Sequence, residues 1–221
     1  MEFGYPQLAR DEVASALRLS STRSTRVLAA AVLARAGDID HAQRMADELQ
    51  TQNPRNTKII GYWLPTIRAA IELSRHNPAK AIEILEEAAP YELGMPGPQP
   101  ELGALFYPVY LRGQAYLELR QGAPAATEFQ KYTDHKSIAM NSVLAGLAPL
   151  GLARAYQLRG DMARAHAAYE TFLNNWKAAD PDIPVLRQAK AQLMKNIVGQ
   201  LSPRVRNCRR GQRHSRLRLR G

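Results

Sequence analysis

The 221-residue sequence has little cysteine, few aromatic residues and no long apolar run. Cys208 is the single cysteine, which excludes an internal disulfide and leads us to expect a reducing, cytoplasmic compartment. No stretch approaches the roughly 18 consecutive apolar residues of a membrane-spanning helix, so no membrane span is predicted. Runs of β-branched residues are almost absent, whereas strong helix formers dominate. The sequence therefore predicts an all-α fold.

Catalytic motifs are missing as well. The 14 glycines never form Gly-X-Gly, and there is no His-Arg-Asp, Asp-Phe-Gly or Walker lysine loop. Neither His-Glu-X-X-His nor Gly-X-Ser-X-Gly occurs, and no second ligand or nucleophile is spaced to join a histidine. We therefore predict no catalytic residues, no metal site and no cofactor, and we do not expect an enzyme.

The net charge of +10 is concentrated at one end of the sequence. Residues 203–221 contain eight arginines, no lysine and no acid; subtracting those eight from 30 basic residues leaves 22, against 20 acids, in residues 1–202. We expect this tail to be disordered because it has almost nothing to bury. The favoured interpretation is a spurious terminus without function; binding to nucleic acid, to anionic lipid or to an acidic protein is the alternative.

A short pattern recurs along the rest of the chain. It consists of a Gly or polar turn, an alanine, and a large apolar residue four positions later. The alanines are 39, 44 and 40 residues apart, at Ala42, Ala81, Ala125 and Ala165. Self-similarity at this period is typical of helical-hairpin solenoids, which bind other molecules.

This spacing divides the sequence into repeats and connecting segments. The predicted first helices cover 24–36, 63–75, 106–120 and 147–159; Asp38 and Asp161 suit helix N-caps, and Pro78 and Pro124 suit first helical positions. The predicted units are a half repeat (1–20, one helix of a truncated repeat), repeats one and two (21–89), a Pro/Gly-rich loop (90–103), repeats three and four (104–180), a capping helix (181–202) and the arginine-rich tail (203–221). Because the first unit lacks a partner helix, we expect it to continue a longer protein or to act as a cap.

Matched positions in the later repeats resemble the tetratricopeptide repeat. They are the structural residues Gly113 and Ala153, Tyr116 and Tyr156, Ala125 and Ala165, and Phe129 and Tyr169. The resemblance implies a right-handed α-solenoid of helix hairpins, closed by a C-terminal capping helix, that serves as a protein-interaction module.

A narrower resemblance covers most of residues 1–200. Segments 62–71, 90–94 and 107–117 resemble the C-terminal repeats of large acidobacterial signalling proteins. In those proteins a Ser/Thr kinase domain precedes the repeats, or, as the alternative, a winged-helix DNA-binding domain. The resemblance implies a docking or sensor module of a bacterial signalling kinase. Pro149 and the arginine tail depart from the pattern.

In tetratricopeptide arrays the first helices line a concave groove, which points to a set of candidate binding residues. They are the aromatics Trp63, Tyr107 and Tyr110, with Tyr91 nearby, and the polar residues Arg112, Gln114 and Arg154. Aromatic and arginine side chains dominate the energetics of many interfaces. A protein or peptide in this groove is the expected partner. Packing of the aromatics between repeats, and homo-oligomerisation through residues 1–20, remain alternatives.

Overall fold

The computed structural model describes residues 2–94, 106–139 and 142–198, and these residues contain helices and no strand. The all-α prediction is confirmed. The helices are α1 (Pro6–Leu19), α2 (Arg23–Arg35), α3 (Ile39–Gln52), α4 (Leu64–Ser74), α5 (Pro78–Leu85), α6 (Tyr107–Glu118), α7 (Gly122–Asp134), α8 (Lys136–Ala139), α9 (Val143–Leu158), α10 (Met162–Asn175) and α11 (184–198). A π-helical segment (Ile59–Trp63) precedes α4, and a 3₁₀ turn (Ala89–Tyr91) follows α5.

Local side-chain chemistry starts several of these helices. The Asp38 carboxylate accepts a hydrogen bond from the His41 N–H, and the Asp161 carboxylate accepts one from the Arg164 N–H. Both predicted N-caps are therefore confirmed. Pro78 is the first residue of α5, as predicted, whereas Pro124 is the third residue of α7.

The connection between paired helices has the same backbone geometry four times. A main-chain N–H bonds back to the carbonyl five residues earlier, in the pairs Asp38–Leu33, Asn77–Glu72, Gln121–Tyr116 and Asp161–Tyr156. The residue before each donor has a positive φ: Gly37 (+83°), His76 (+60°), Arg120 (+58°) and Gly160 (+74°). This combination is the Schellman ending of a helix. The four turns recur at the same 39-, 44- and 40-residue spacing as the alanines.

Packing among the helices follows their order in the sequence. Each turn joins two helices that pack together, namely α2–α3, α4–α5, α6–α7 and α9–α10. The first helix of each pair also contacts the first helix of the next pair, and the second helix of one pair contacts the first helix of the next. One continuous hydrophobic core runs through these contacts.

The ring of Phe129 on α7 lies between α6 and α9 where each of these helices carries a glycine. A Cβ added at Gly113 would meet the ring at 2.7 Å, and one at Gly151 would meet it at 2.6 Å. Phe129 is fully buried, as are Ala125, Ala153, Ala165 and Tyr169, whereas Tyr116 and Tyr156 are half-buried. The absence of side chains at the two glycines thus allows the ring to fill the space between α6, α7 and α9.

Several predicted boundaries need correction. Helix α9 begins at Val143, because Ser142 caps it, and not at 147; Pro149 therefore lies inside the helix. The helix predicted at 63–75 begins at Leu64 as α4, directly after the π-helical segment that contains Trp63. The Leu64 N–H bonds to the Ile59 carbonyl, immediately before Pro65. Helix α8 was not predicted.

The other predicted units are described only in part. Of the predicted loop 90–103, the structure describes residues 90–94, and the first two of these end the 3₁₀ turn. The predicted capping helix is described to residue 198. The tail 203–221 lies outside the described residues. Within the described ranges, every helix is too short or too polar to cross a lipid bilayer.

We predict opposite effects for two alanine substitutions in α9. Gly151→Ala should lower the free energy of unfolding by about 1–3 kcal/mol, because its Cβ overlaps the buried Phe129 ring. Gly146→Ala is the control, since its Cβ would lie 3.7 Å from Trp176. It should raise the free energy of unfolding by up to about 1 kcal/mol through helix propensity. Urea denaturation measures both values, and equal effects would contradict the close contact.

Candidate functional site

Four of the six predicted groove residues are buried. The exposed fractions of Trp63, Tyr107, Tyr110 and Arg112 are 2, 7, 5 and 4 %. Their side chains pack inside the protein, which corrects the expectation of an open aromatic groove. Tyr91 is exposed instead and lies against Gly61. The physical reason is that the aromatics of the first helices fall at the contacts between neighbouring helix pairs.

Arg112 belongs to a buried charge network that joins three parts of the chain. Its guanidinium contacts the carboxylates of Glu92, after the 3₁₀ turn, and Glu128, on α7. It also donates to the Leu85 carbonyl at the end of α5, at 2.9 Å, while Lys131 pairs with Glu128 at 2.8 Å. Burial lowers the pKa of Arg112, but the two carboxylates outweigh this and raise it. Arg112 is thus a structural cross-link between α5, α6 and α7.

Tyr110, although buried, lines one cleft together with Gln114 and Arg154, and we call it the central cleft. Its volume is about 180 Å³, and it lies between α2, α6, α9, the start of α11 and the segment 2–4. Arg35, Gln188 and Glu2 complete its polar lining. The structure therefore brings together three predicted residues from two helices and adds three that the sequence analysis missed.

The ion pair between Arg35 and Glu2 is the strongest polar contact of the central cleft. Arg35 donates from Nε to Glu2 Oε1 at 3.1 Å and from Nη2 to Glu2 Oε2 at 3.3 Å, which is a two-point geometry. The Tyr107 hydroxyl donates to Glu2 Oε1 at 3.1 Å. Only 16 % of the Arg35 side chain and 13 % of the Glu2 side chain are exposed. This carboxylate is held in a largely dry site.

Burial and charge act in opposite directions on the groups of this site. Burial raises the pKa of the Glu2 carboxyl, but attraction to Arg35 and the hydrogen bonds from Arg35 and Tyr107 outweigh it, so the pKa is lowered. Burial and the nearby Glu2 charge raise the pKa of the Tyr107 and Tyr110 hydroxyls. Both tyrosines consequently remain neutral hydrogen-bond donors at physiological pH.

The segment 2–4 also contacts the end of α10 and the start of α11. The Phe3 ring meets Trp176 edge-on at 5.1 Å, and the Phe3 carbonyl accepts a hydrogen bond from the Val185 N–H at 3.3 Å. Gly4 has φ +98°, and a Cβ there would lie 2.7 Å from Pro184 Cβ. The segment thus spans from α2 to the α10–α11 connection.

A second cleft, of about 390 Å³, adjoins the central cleft at Arg154. Arg154 donates from Nε to Gln192 Oε1 at 3.1 Å and is partly exposed. Arg35, Arg120 and Arg154 line the two clefts, and Glu2 is the one acid among the lining residues. With segment 2–4 set aside, the lining is basic and favours an anionic ligand.

The polar groups that line the two clefts are guanidinium, amide, carboxylate and hydroxyl groups. The lining residues include no histidine, cysteine, serine or lysine to act as nucleophile or base. In the parts of the chain that the structure describes, no three His, Cys, Asp or Glu side chains are grouped to hold a metal ion.

Protein-family models, curated proteins and solved structures provide no match to this chain.

Replacing Arg112 should reveal its structural role. Arg112→Met removes the buried cation that Glu92 and Glu128 share and leaves them only the partly exposed Lys131, so we expect the free energy of unfolding to fall by about 3–5 kcal/mol. Arg75→Met, which removes the exposed pair with Glu72, is the matched control and should cost less than about 1 kcal/mol. Similar losses in both variants, measured by urea denaturation, would contradict a buried cross-link.

The stabilisation from Glu2 should depend on pH. Because its pKa is lower in the folded protein than the ordinary value of 4.5, the stabilisation is complete above that value and is lost as pH falls through the folded pKa. We expect Glu2→Gln to lower the free energy of unfolding by about 1–3 kcal/mol at pH 7. The difference in free energy of unfolding between Glu2→Gln and the unaltered protein should shrink towards pH 3. Other acids titrate in both proteins and cancel, so a constant difference from pH 7 to pH 3 would refute the ion pair.

Proposed function

We propose that this chain is a protein-interaction module, a right-handed α-solenoid of tetratricopeptide-like hairpins that binds a partner segment in its central cleft. The observation that carries the proposal is the hairpin turn, whose five-residue hydrogen bond and positive φ recur four times at 39, 44 and 40 residues. Repeated helix hairpins stacked in sequence order present extended binding surfaces. The neighbour-to-neighbour packing of the helices supports the same conclusion.

The composition of the central cleft supports binding of a peptide. Side chains from α2, α6, α9 and α11 converge on it, and they offer guanidinium, amide and hydroxyl groups beside the apolar Leu147 and Leu150. Such a mixture fits the main chain and side chains of an extended segment. Arg154 is the best placed of the predicted groove residues, because it is partly exposed and reaches both clefts.

The parent protein is a more specific proposal. The resemblance of segments 62–71 and 107–117 supports a docking region of a bacterial signalling Ser/Thr kinase. The alternative, a winged-helix regulator whose basic tail contacts nucleic acid, rests on the same resemblance and on the composition of 203–221.

A charge reversal at Arg154 tests the binding function. Peptides selected from a random display library for binding to the full chain should lose about tenfold or more in affinity on Arg154→Glu, because the charge at the junction of the clefts is reversed. Arg159→Glu, at the exposed residue that directly follows α9, is the matched control and should change affinity by less than about twofold. Fluorescence anisotropy gives both dissociation constants.

Circular dichroism verifies that both variants remain helical. Failure to select any peptide, or equal loss of affinity in both folded variants, would refute the central cleft as the binding site.

A further inference from the structure

The segment Glu2–Phe3–Gly4 forms one wall of the central cleft and is held there by side-chain and main-chain contacts. It precedes α1 and has no regular secondary structure of its own. Three contacts hold it. The Glu2 carboxylate accepts hydrogen bonds from Arg35 and Tyr107, the Phe3 ring packs against Trp176, and the Phe3 carbonyl accepts a hydrogen bond from the Val185 N–H. Each contact is made with a different part of the fold and none with a neighbouring residue of the segment.

The site that receives Glu2 is built for a carboxylate. Arg35 presents two N–H groups in a fork, one to each oxygen of the Glu2 carboxylate. The neutral Tyr107 hydroxyl donates to Oε1, the oxygen that Arg35 Nε also contacts. The other residues that line the central cleft include Arg154 and no acid. An Arg35 guanidinium without an anion would be a largely buried, unpaired charge, which is strongly unfavourable. The site therefore requires an anion, whether from this segment or from another molecule.

The site that receives Phe3 is aromatic and fixed in place. Trp176 is held by a hydrogen bond from its Nε1 to the Gly146 carbonyl at 3.1 Å and by contact with Phe172. The Trp176 ring that Phe3 contacts is therefore held in a set orientation. Edge-to-face pairs of this kind stabilise a ring beyond what its burial alone contributes.

We propose that the partner segment contains an acidic residue followed by an aromatic one, and that Glu2–Phe3–Gly4 competes with it within the chain. This inference rests on the proposed binding function of the central cleft. The partner carboxylate pairs with Arg35 and Tyr107, and its aromatic ring packs on Trp176. Displacement of the chain's own segment accompanies binding.

Competition within the chain sets a threshold for binding. A segment tethered next to its site acts at an effective concentration in the millimolar range. The apparent affinity of a partner falls by the fraction of molecules in which the cleft is open. Partners with several contacts, including the adjoining cleft at Arg154, overcome this threshold, whereas short acidic sequences do not.

A labelled peptide with the sequence of residues 1–6 tests the proposal against full-length protein. The variant Glu2→Gln/Phe3→Ala weakens the internal segment and leaves its receiving side chains unchanged. The peptide should bind this variant about tenfold or more tightly than the unaltered protein. The same peptide carrying Glu2→Gln should bind the variant about tenfold more weakly, because it lacks the charge that pairs with Arg35.

Each outcome of this experiment decides the proposal. Equal binding to both proteins, equal binding of the Glu and Gln peptides, or no binding to the folded variant would overturn it. If the double variant loses helicity, the isosteric single variant Glu2→Gln replaces it. Unfolding of both variants would also overturn the proposal, because a segment needed for folding cannot be displaced by a ligand.

The two binding experiments separate this inference from the proposed function. Library peptides that depend on Arg154 but do not compete with the residue 1–6 peptide would leave the interaction module standing and refute the acidic–aromatic specificity. Loss of both kinds of binding would refute the module itself.

Discussion

The backbone hydrogen bond that closes each helix hairpin is the constraint on which the rest of the structure depends. It forces the residue before its donor into the left-handed region, which Gly37 and Gly160 enter freely and His76 and Arg120 enter at a cost of about 1 kcal/mol each. Because four turns share this geometry, the first helices of successive pairs lie side by side. Residues far apart in the sequence, such as Arg35 and Arg154, consequently line the same cleft.

Local features of the fold were predictable, because their causes lie within a few residues. The N-caps Asp38 and Asp161 and the start of α5 at Pro78 follow from hydrogen bonds or dihedral preferences inside one turn. The early start of α9 was missed because the predicted helix began at 147, two residues before Pro149. Ser142, the cap that sets the actual start, lies seven residues earlier.

The environment of each candidate side chain was not predictable to the same extent. Sequence spacing placed Tyr107, Tyr110 and Arg112 on first helices, but which faces of α6 are covered depends on α5, α7 and α9 together. The pairing of Glu2 with Arg35 has no local signal at all, since the two residues are brought together by the packing of α1 on α2 and by the contacts of Phe3 near α11. Long-range contacts of this kind depend on the completed fold.

The two buried arginines show how one type of interaction serves different ends. Two carboxylates and a carbonyl surround Arg112. They belong to α7, to the turn after α5 and to the end of α5, so they cannot leave Arg112 without disrupting the core. Arg35 has one carboxylate partner, on a segment without regular structure that contacts the cleft at three points. Both sites require a negative charge, and we propose that only at Arg35 can its supplier be exchanged at the cost of a few contacts. A buried cation with a replaceable partner suits recognition, whereas one enclosed by fixed partners suits stability.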